Sequence, residues 1–304
     1  MVNLRCCRLG TIGVVVLMCL LSCERVIPYP SLAHEDALLR VDCEVESTDS
    51  ALVSVSRLYA ITYDHRDADE TQKDLKSELR FFVNGDEVQS YAYSRSSQDR
   101  YIIRYPFKQG DRIYLECSAP GLNPVSASTG IPQVSVDVIH EFRVYEEGGK
   151  LKADVVLKDN PETYDAYEVS VEICESFVDY VEGEAVRTGS YTVVRNLSID
   201  GTVDGEIRVM DDSYADKDSR IRLLLPAYRM PADGSYIDEN GISHTRDVWY
   251  EVRLKVSLLS KELYYSRLAL RTYDMAPSCY TNIIGGYGCL GGMTTVKSEI
   301  IKVE

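Results

Sequence analysis

The chain has 304 residues, of which 45% are hydrophobic and 27% charged, a balance that supports a packed core and excludes a disordered, collagen-like or polytopic protein. The length fits two domains, with one large β domain as the alternative. A formal charge of −15 argues against a nucleic-acid partner, which needs a basic surface, and 22 tyrosines against five phenylalanines and one tryptophan suit half-buried strands.

In chain order, Arg5 and Arg8 form a short positive region, and the apolar stretch Leu9 to Leu21 follows. That stretch is too short for a membrane span, which needs about 20 residues, but it has the length of a signal-peptide core. It ends in Leu20-Leu21-Ser22-Cys23, a bacterial lipobox pattern. The reading is a lipoprotein signal over residues 1–22. The Cys23 thiol takes a diacylglycerol with palmitate-type chains, cleavage follows before Cys23, and lipid is the anchor. Residues 23–34, with Pro28 and Pro30, read as a tether.

From Leu38 onward the period is two, the signature of half-buried strands. Leu39, Val41, Cys43 and Val45 alternate with charged residues. Leu79, Phe81 and Val83 alternate likewise and run into Asn84-Gly85, a hairpin signal because both residues tolerate positive φ. Tyr101–Tyr105 and Ile113–Cys117 are two more strands, and Ala119-Pro120-Gly121 is a turn. Residues 35–132 therefore read as an immunoglobulin-like β-sandwich, bounded near Pro132.

Residues 133–304 read as a larger antiparallel β domain, sandwich or barrel-like. Val134, Val136, Val138, His140, Phe142 and Val144 share one face, which makes His140 a core histidine. Leu151–Leu157 and Tyr167–Ile173 repeat the alternation, and Val248 to Leu258 is the longest strand. One helix is expected near 260–273, with Ser260 as N-cap and Glu262 in the first turn. Its stripe is Tyr264, Tyr265, Leu268, Ala269 and Thr272. A glycine-rich loop, Gly285–Gly288, and a last strand over 296–303 close the chain.

Several stretches together resemble a family of Bacteroidota lipoproteins known as domain of unknown function 4249. They are Cys23–Ile27 after the lipobox, Gly110–Leu115 leading to Ser118–Gly121, Val125–Pro132, Tyr264-Tyr265 of the helix, and Thr281–Gly292. The resemblance spans nearly the whole chain after the signal. Cys289 departs from it, standing where the family more often has an apolar residue. The resemblance implies an envelope lipoprotein near TonB-dependent outer-membrane transporters, and it brings no reaction and no catalytic residues.

The residues themselves single out little chemistry. His65 lies in the acidic run Asp64–Glu70, which lacks the glycine and spacing of a calcium loop and reads as solvated. Asp211-Asp212 and Asp216-Lys217-Asp218 fail in the same way. There is no nucleophile elbow, no zinc-type His-Glu-x-x-His and no phosphate loop. The glycine run reads as backbone geometry in preference to ligand contact. A catalytic site assembled from distant carboxylates is left open. No cofactor or metal is expected.

Cys43 and Cys117 both face the first core and are expected to lie close enough to bridge, the alternative being two buried free thiols. Cys279 and Cys289 flank the glycine-rich segment and form a candidate second bridge, and Cys174 is expected to be unpaired. The functional expectation is a non-enzymatic interaction or ligand-recognition module, lipid-anchored at the outer membrane and accessory to a transporter or a neighbouring lipoprotein. A glycan-binding or glycan-processing surface protein is the alternative, motivated by the tyrosine excess.

Overall fold

The computed structural model describes residues 37–58, 75–95, 98–134, 137–199, 209–226, 228–229, 234–271 and 280–303. Cys23 with the signal and tether, the run Asp64–Glu70, and Cys279 lie outside the described residues.

The protein is all-β with one α-helix among those residues. The first part holds β1 (Leu38–Glu46), β2 (Ser50–Leu58), β3 (Glu78–Val83), β4 (Asp86–Val88), β5 (Ser90–Arg95), β6 (Gln98–Arg104), β7 (Arg112–Ser118) and β8 (Val125–Gly130). The second begins with β9 (Ile139–Glu146), β10 (Lys150–Lys158), β11 (Ala166–Val181), β12 (Glu184–Asn196) and β13 (Ser198–Ile199). It continues through β14 (Val209–Asp211), β15 (Arg220–Leu224), β16 (Tyr228–Arg229), β17 (Gly234–Ile237) and β18 (Ser243–Leu259). Helix α1 (Lys261–Arg271), β19 (Tyr287–Lys297) and β20 (Ile301–Val303) follow.

These strands build three sheets. An 11-stranded sheet runs β12-β11-β18-β19-β1-β2-β6-β5, with β14, β17 and β20 attached to its side, and it remains open. A 4-stranded sheet, β4-β3-β7-β8, covers one half of it, and a 5-stranded sheet of β13, β15, β10, β16 and β9 covers the other. Each cover buries one set of alternating side chains. The first core takes Leu39, Val41 and Val45 from β1, Phe81 and Val83 from β3, and Ile113 and Leu115 from β7. The second takes Leu151 to Leu157 from β10, Val169 to Ile173 from β11, and Tyr250 to Leu258 from β18. Two sandwiches thus share one continuous sheet.

The strand that joins them is β19. Residues Tyr287–Met293 pair in parallel with Arg40–Glu46 of β1, and Met293–Lys297 then pair antiparallel with Leu259–Lys255 of β18. Ile283 and Leu290 therefore belong to the first core although they come from the end of the chain. This corrects the expected glycine loop. Gly285 and Gly286 do turn, but Tyr287 and Gly288 already belong to β19, and Tyr287–Lys297 precedes a separate three-residue β20.

The turn at Asn84-Gly85 has the predicted geometry, with φ of 55° and 94°. His140 does not. The β9–β10 ladder pairs Val155 with Phe142 and Val156 with Glu141, then jumps to Leu157 with Ile139. His140 is the extra residue of a β-bulge, which turns it out to solvent while Val138, Phe142 and Val144 stay inside.

Candidate functional site: the groove beneath the helix

Ser260 ends the 17-residue β18 and starts the helix. Its Oγ accepts from Leu263 N at 3.3 Å, the predicted N-cap, and also from Gly292 N at 3.2 Å. Thr129 of β8 donates to Ser260 Oγ at 3.1 Å or to Glu262 Oε2 at 3.0 Å. One buried serine thereby ties both sandwiches to the helix. Asn282 extends the seam. It donates to Leu290 O at 2.8 Å and accepts from Leu290 N at 3.0 Å, and Ser126 and Ile284 bridge by their backbones.

Two glycines show why the chain needs no side chain here. A Cβ at Gly288 would sit 2.1 Å from Val41 O, and the residue has φ of 111°. A Cβ at Gly292 would sit 2.2 Å from Gly130 O. The resemblance segments Val125–Pro132 and Thr281–Gly292 are thus neighbours at one junction and pack backbone to backbone, with the helix that carries Tyr264-Tyr265 starting beside them.

On the outer face of that junction α1 overhangs β1 and leaves a groove of about 580 Å³. Its floor is the charged face of β1. Arg40 Nε meets Asp42 Oδ2 at 2.6 Å, and the Arg40 guanidinium lies 5.9 Å from the Tyr287 ring. Arg267 reaches down from the helix to Glu44 at 2.9 Å and lies 3.8 Å from Glu168 of β11. Ser54, Ser56 and Ser266 add hydroxyls, and Leu270 stands on the rim 69% exposed. The Tyr265 and Tyr280 rings lie 5.6 Å apart beside it.

Such a groove can hold a polar or amphipathic ligand. It is poorly suited to thiol chemistry. Burial pushes the Cys289 thiol up to about 12, against a lowering hydrogen bond with Ser266. A protonated thiol is a weak nucleophile. Burial likewise raises Tyr280 to about 12.

The sequence-predicted residues are only partly brought together. Cys289 lines the groove, and its proposed partner Cys279 lies outside the described residues. Cys43 and Cys117 both point into the first core, as free thiols. Cys117 lies against Tyr101 and Asp99 of β6, whereas Cys43 is two strands away through Val53. Two strand spacings are roughly 10 Å, beyond the ~7 Å Cα separation that a disulfide spans. In the structure both are buried free thiols. Cys174 is also free.

His244 lies in β18, stacked 4.6 Å from Tyr236, with Nε2 3.4 Å from Asp238. Among the described residues no group of three or more His, Cys, Asp or Glu could hold a metal ion. The groove residues Arg40, Asp42 and Glu44 were visible as the charged side of β1. The helix that covers them was visible too, but nothing in the sequence placed one on the other.

No family model matches the chain, and no curated protein matches it. Among solved structures, the chain is similar to the adhesin InvE of Yersinia pseudotuberculosis at 10% identity and a TM-score of 0.21, covering 71% of this chain and 54% of that one. A pullulanase from Anoxybacillus sp. LM18-11 complexed with maltotriose is 9% identical, with a TM-score of 0.17, over 70% of this chain and 24% of that one. The C-terminal domain of the Streptococcus agalactiae AgI/II polypeptide BspA is 10% identical, with a TM-score of 0.16, over 88% and 99%. The chain spans about half the length of the adhesin and a quarter of the pullulanase. At these TM-scores none of the three carries an argument about function.

Proposed function

We propose that this protein is a lipid-anchored recognition module of the outer envelope that holds a partner in the groove beneath α1. The supporting observation is the groove itself, a cleft with ion pairs on its floor and an exposed leucine at its rim. One stretch of the family resemblance, Tyr287–Cys289, lines it together with Leu263, Ser266, Arg267 and Leu270 of the helix. The anchor is Cys23, and membership of the lipoprotein family rests on the residues quoted above. A TonB-dependent transporter or a neighbouring lipoprotein is the proposed partner. Anchoring both to one membrane raises their effective concentration.

The test is crosslinking in intact cells of the native host, followed by purification through a tag after Glu304. Wild type should capture an envelope partner above an unrelated lipoprotein control. Arg267→Glu combined with Leu270→Asp should reduce capture at least tenfold. Equal capture by that variant would remove the groove from the proposal, and no enrichment would remove the partner.

A glycan reading has its own support. On one face of the sheet, Tyr191 of β12 lies opposite Glu175 and Tyr236 of β17 opposite His244, both exposed, and Phe177, between those positions along β11, lies 4.6 Å from the Arg246 guanidinium and 5.5 Å from that of Arg187. Flat rings beside guanidinium donors suit sugar C–H faces and hydroxyls. Binding or hydrolysis of an envelope or dietary glycan, lost on Tyr191→Ala with Tyr236→Ala, would favour this reading over the groove.

A further inference from the structure

The inner face of β11 is buried at every second residue from Tyr167 to Glu175 and no further, and β18 begins its own buried alternation at Tyr250, directly opposite Glu175. Glu175 therefore closes the second core at its open end, where it is 4% exposed. Tyr191, opposite it on β12 and 45% exposed, hydrogen bonds to this carboxylate, and Tyr228 of the covering sheet shares the Tyr191 hydroxyl. Glu175 Oε2 is buried and has no hydrogen-bond partner among the described residues. Asp111, a buried carboxylate of the first sandwich, shows the ordinary arrangement. Its Oδ1 accepts from Asn84 at 2.9 Å and its Oδ2 from Lys108 N at 2.7 Å. A buried acceptor left unpaired is costly, and in folded proteins such an oxygen marks a place where a further group binds.

We propose that this mouth of the second sandwich binds a neutral saccharide, one hydroxyl of which donates to Glu175 Oε2 while the sugar ring lies against Tyr191. The inference rests on the glycan reading above and names its acceptor and its ligand class. Tyr191 is the exposed side chain that bonds Glu175, so its ring turns aside to admit the ligand and then serves as the stacking face. The class of ligand follows from charge. An ionised carboxylate only accepts hydrogen bonds, so the ligand must bring a donor, and an anion adds repulsion. A cation is disfavoured because the protein's own guanidinium groups already occupy the neighbouring rings. Arg246 lies 4.6 Å and Arg187 5.5 Å from the Phe177 ring, and Arg195 lies 5.4 Å from that of Tyr228. Like charges brought together in this way oppose binding. A sugar hydroxyl supplies the donor without adding charge, and a sugar ring supplies an apolar face for Tyr191.

The test is calorimetric titration of the full chain in detergent with cellotetraose, mannotetraose, xylotetraose and maltotetraose. Chitosan tetraose and tetragalacturonate serve as the cationic and anionic controls. At least one neutral tetrasaccharide should bind, at least tenfold more tightly than either control. Glu175→Gln should weaken that binding at least tenfold while leaving the thermal midpoint unchanged or raised, because it removes a buried charge that the fold does not pair. One monodeoxy derivative of the bound sugar should lose the same factor with wild type and nothing further with Glu175→Gln. Hydroxyl-radical footprinting of the wild-type chain, which needs no variant, should show Tyr191 protected at least threefold by the bound sugar. Tighter binding of a charged control would overturn the ligand class. A lowered midpoint or a misfolded Glu175→Gln chain would make the carboxylate structural and overturn the inference, as would an unprotected Tyr191. Binding that Tyr191→Ala with Tyr236→Ala removes but Glu175→Gln leaves intact would overturn the role of Glu175 and keep the glycan reading. No binding by any of the four neutral sugars would overturn the inference.

Discussion

Gly292 and Gly130 touch through their backbones so closely that a Cβ on Gly292 would lie 2.2 Å from the Gly130 carbonyl oxygen. The contact joins β19 to β8 at the point where β19 leaves the first sandwich for the second. Because the blocking atom is backbone, the strands must separate to admit a methyl group. Gly292→Ala should therefore cost about 3 kcal/mol, at the upper end of overpacking penalties. Gly241→Ala provides the contrast, because Gly241 has φ of 80° but open space around it. Its cost should be about 1 kcal/mol, that of the left-handed conformation alone. Urea unfolding of both variants checks the difference, and equal costs would mean that the contact is slack.

Ser260 serves the helix and the junction with one oxygen. Ser260→Ala removes the N-cap and leaves the Gly292 N–H without its acceptor in a buried setting. A lost cap costs about 1 kcal/mol, and a buried unsatisfied donor costs about as much again. The expected loss is about 2 kcal/mol in urea, while Ser266→Ala, in the body of the same helix, should cost less than half of that.

Much of this architecture is legible in the residues. The alternations through Val41, Phe81, Leu115, Val155, Val171 and Leu254 mark core strands because a period of two has one reading in a sheet. What was hidden is non-local. Nothing in Tyr287–Met293 announces a parallel partner 247 residues earlier, since small glycines carry no alternation. His140 was misplaced because a bulge shifts the period by one residue, and its signal lies in the ladder with β10. The strand β12 went unread because its side chains are almost uniformly exposed, which removes the hydrophobic alternation. The groove was half legible. The charged face of β1 and the helix stripe were both visible, and Leu263, buried against β19, completes the helix face.

The thiols give a direct check on the first core. Burial raises the Cys117 thiol to about 12, with Asp99 adding to it, and raises Cys43 further with help from Glu44, Cys289 and Asp42. Both should stay protonated and shielded at pH 8. Iodoacetamide should leave Cys43, Cys117 and Cys289 unmodified in the folded protein, while the partly exposed Cys174 reacts. After denaturation without reductant, Cys43 and Cys117 should label fully. Labelling of neither would reveal the bridge that the structure does not form.

Asp211 supplies an acid-sensitive contact at the base of the helix. It accepts from Tyr264 at 3.1 Å and Tyr164 at 3.2 Å through one oxygen, and from Ser213 N at 3.1 Å through the other. Burial pushes its carboxyl up, but hydrogen bonds from Ser213, Tyr264 and Tyr164 outweigh that and hold it below its ordinary value. A group whose folded pKa is depressed stabilises fully above its unfolded pKa of about 3.9, and that contribution is lost as pH falls through the folded value. Asp211→Asn should therefore lower stability by about 1 kcal/mol at pH 7, a figure discounted for the group's partial exposure. The gap between variant and wild type should stay level down to about pH 5 and close below pH 4. Tyr264→Phe should narrow the same acid limb, since it removes one of the bonds that depress the carboxyl. Urea titrations at stepped pH measure this, and a gap that widened on acidification would show that Asp211 is held above its ordinary pKa instead.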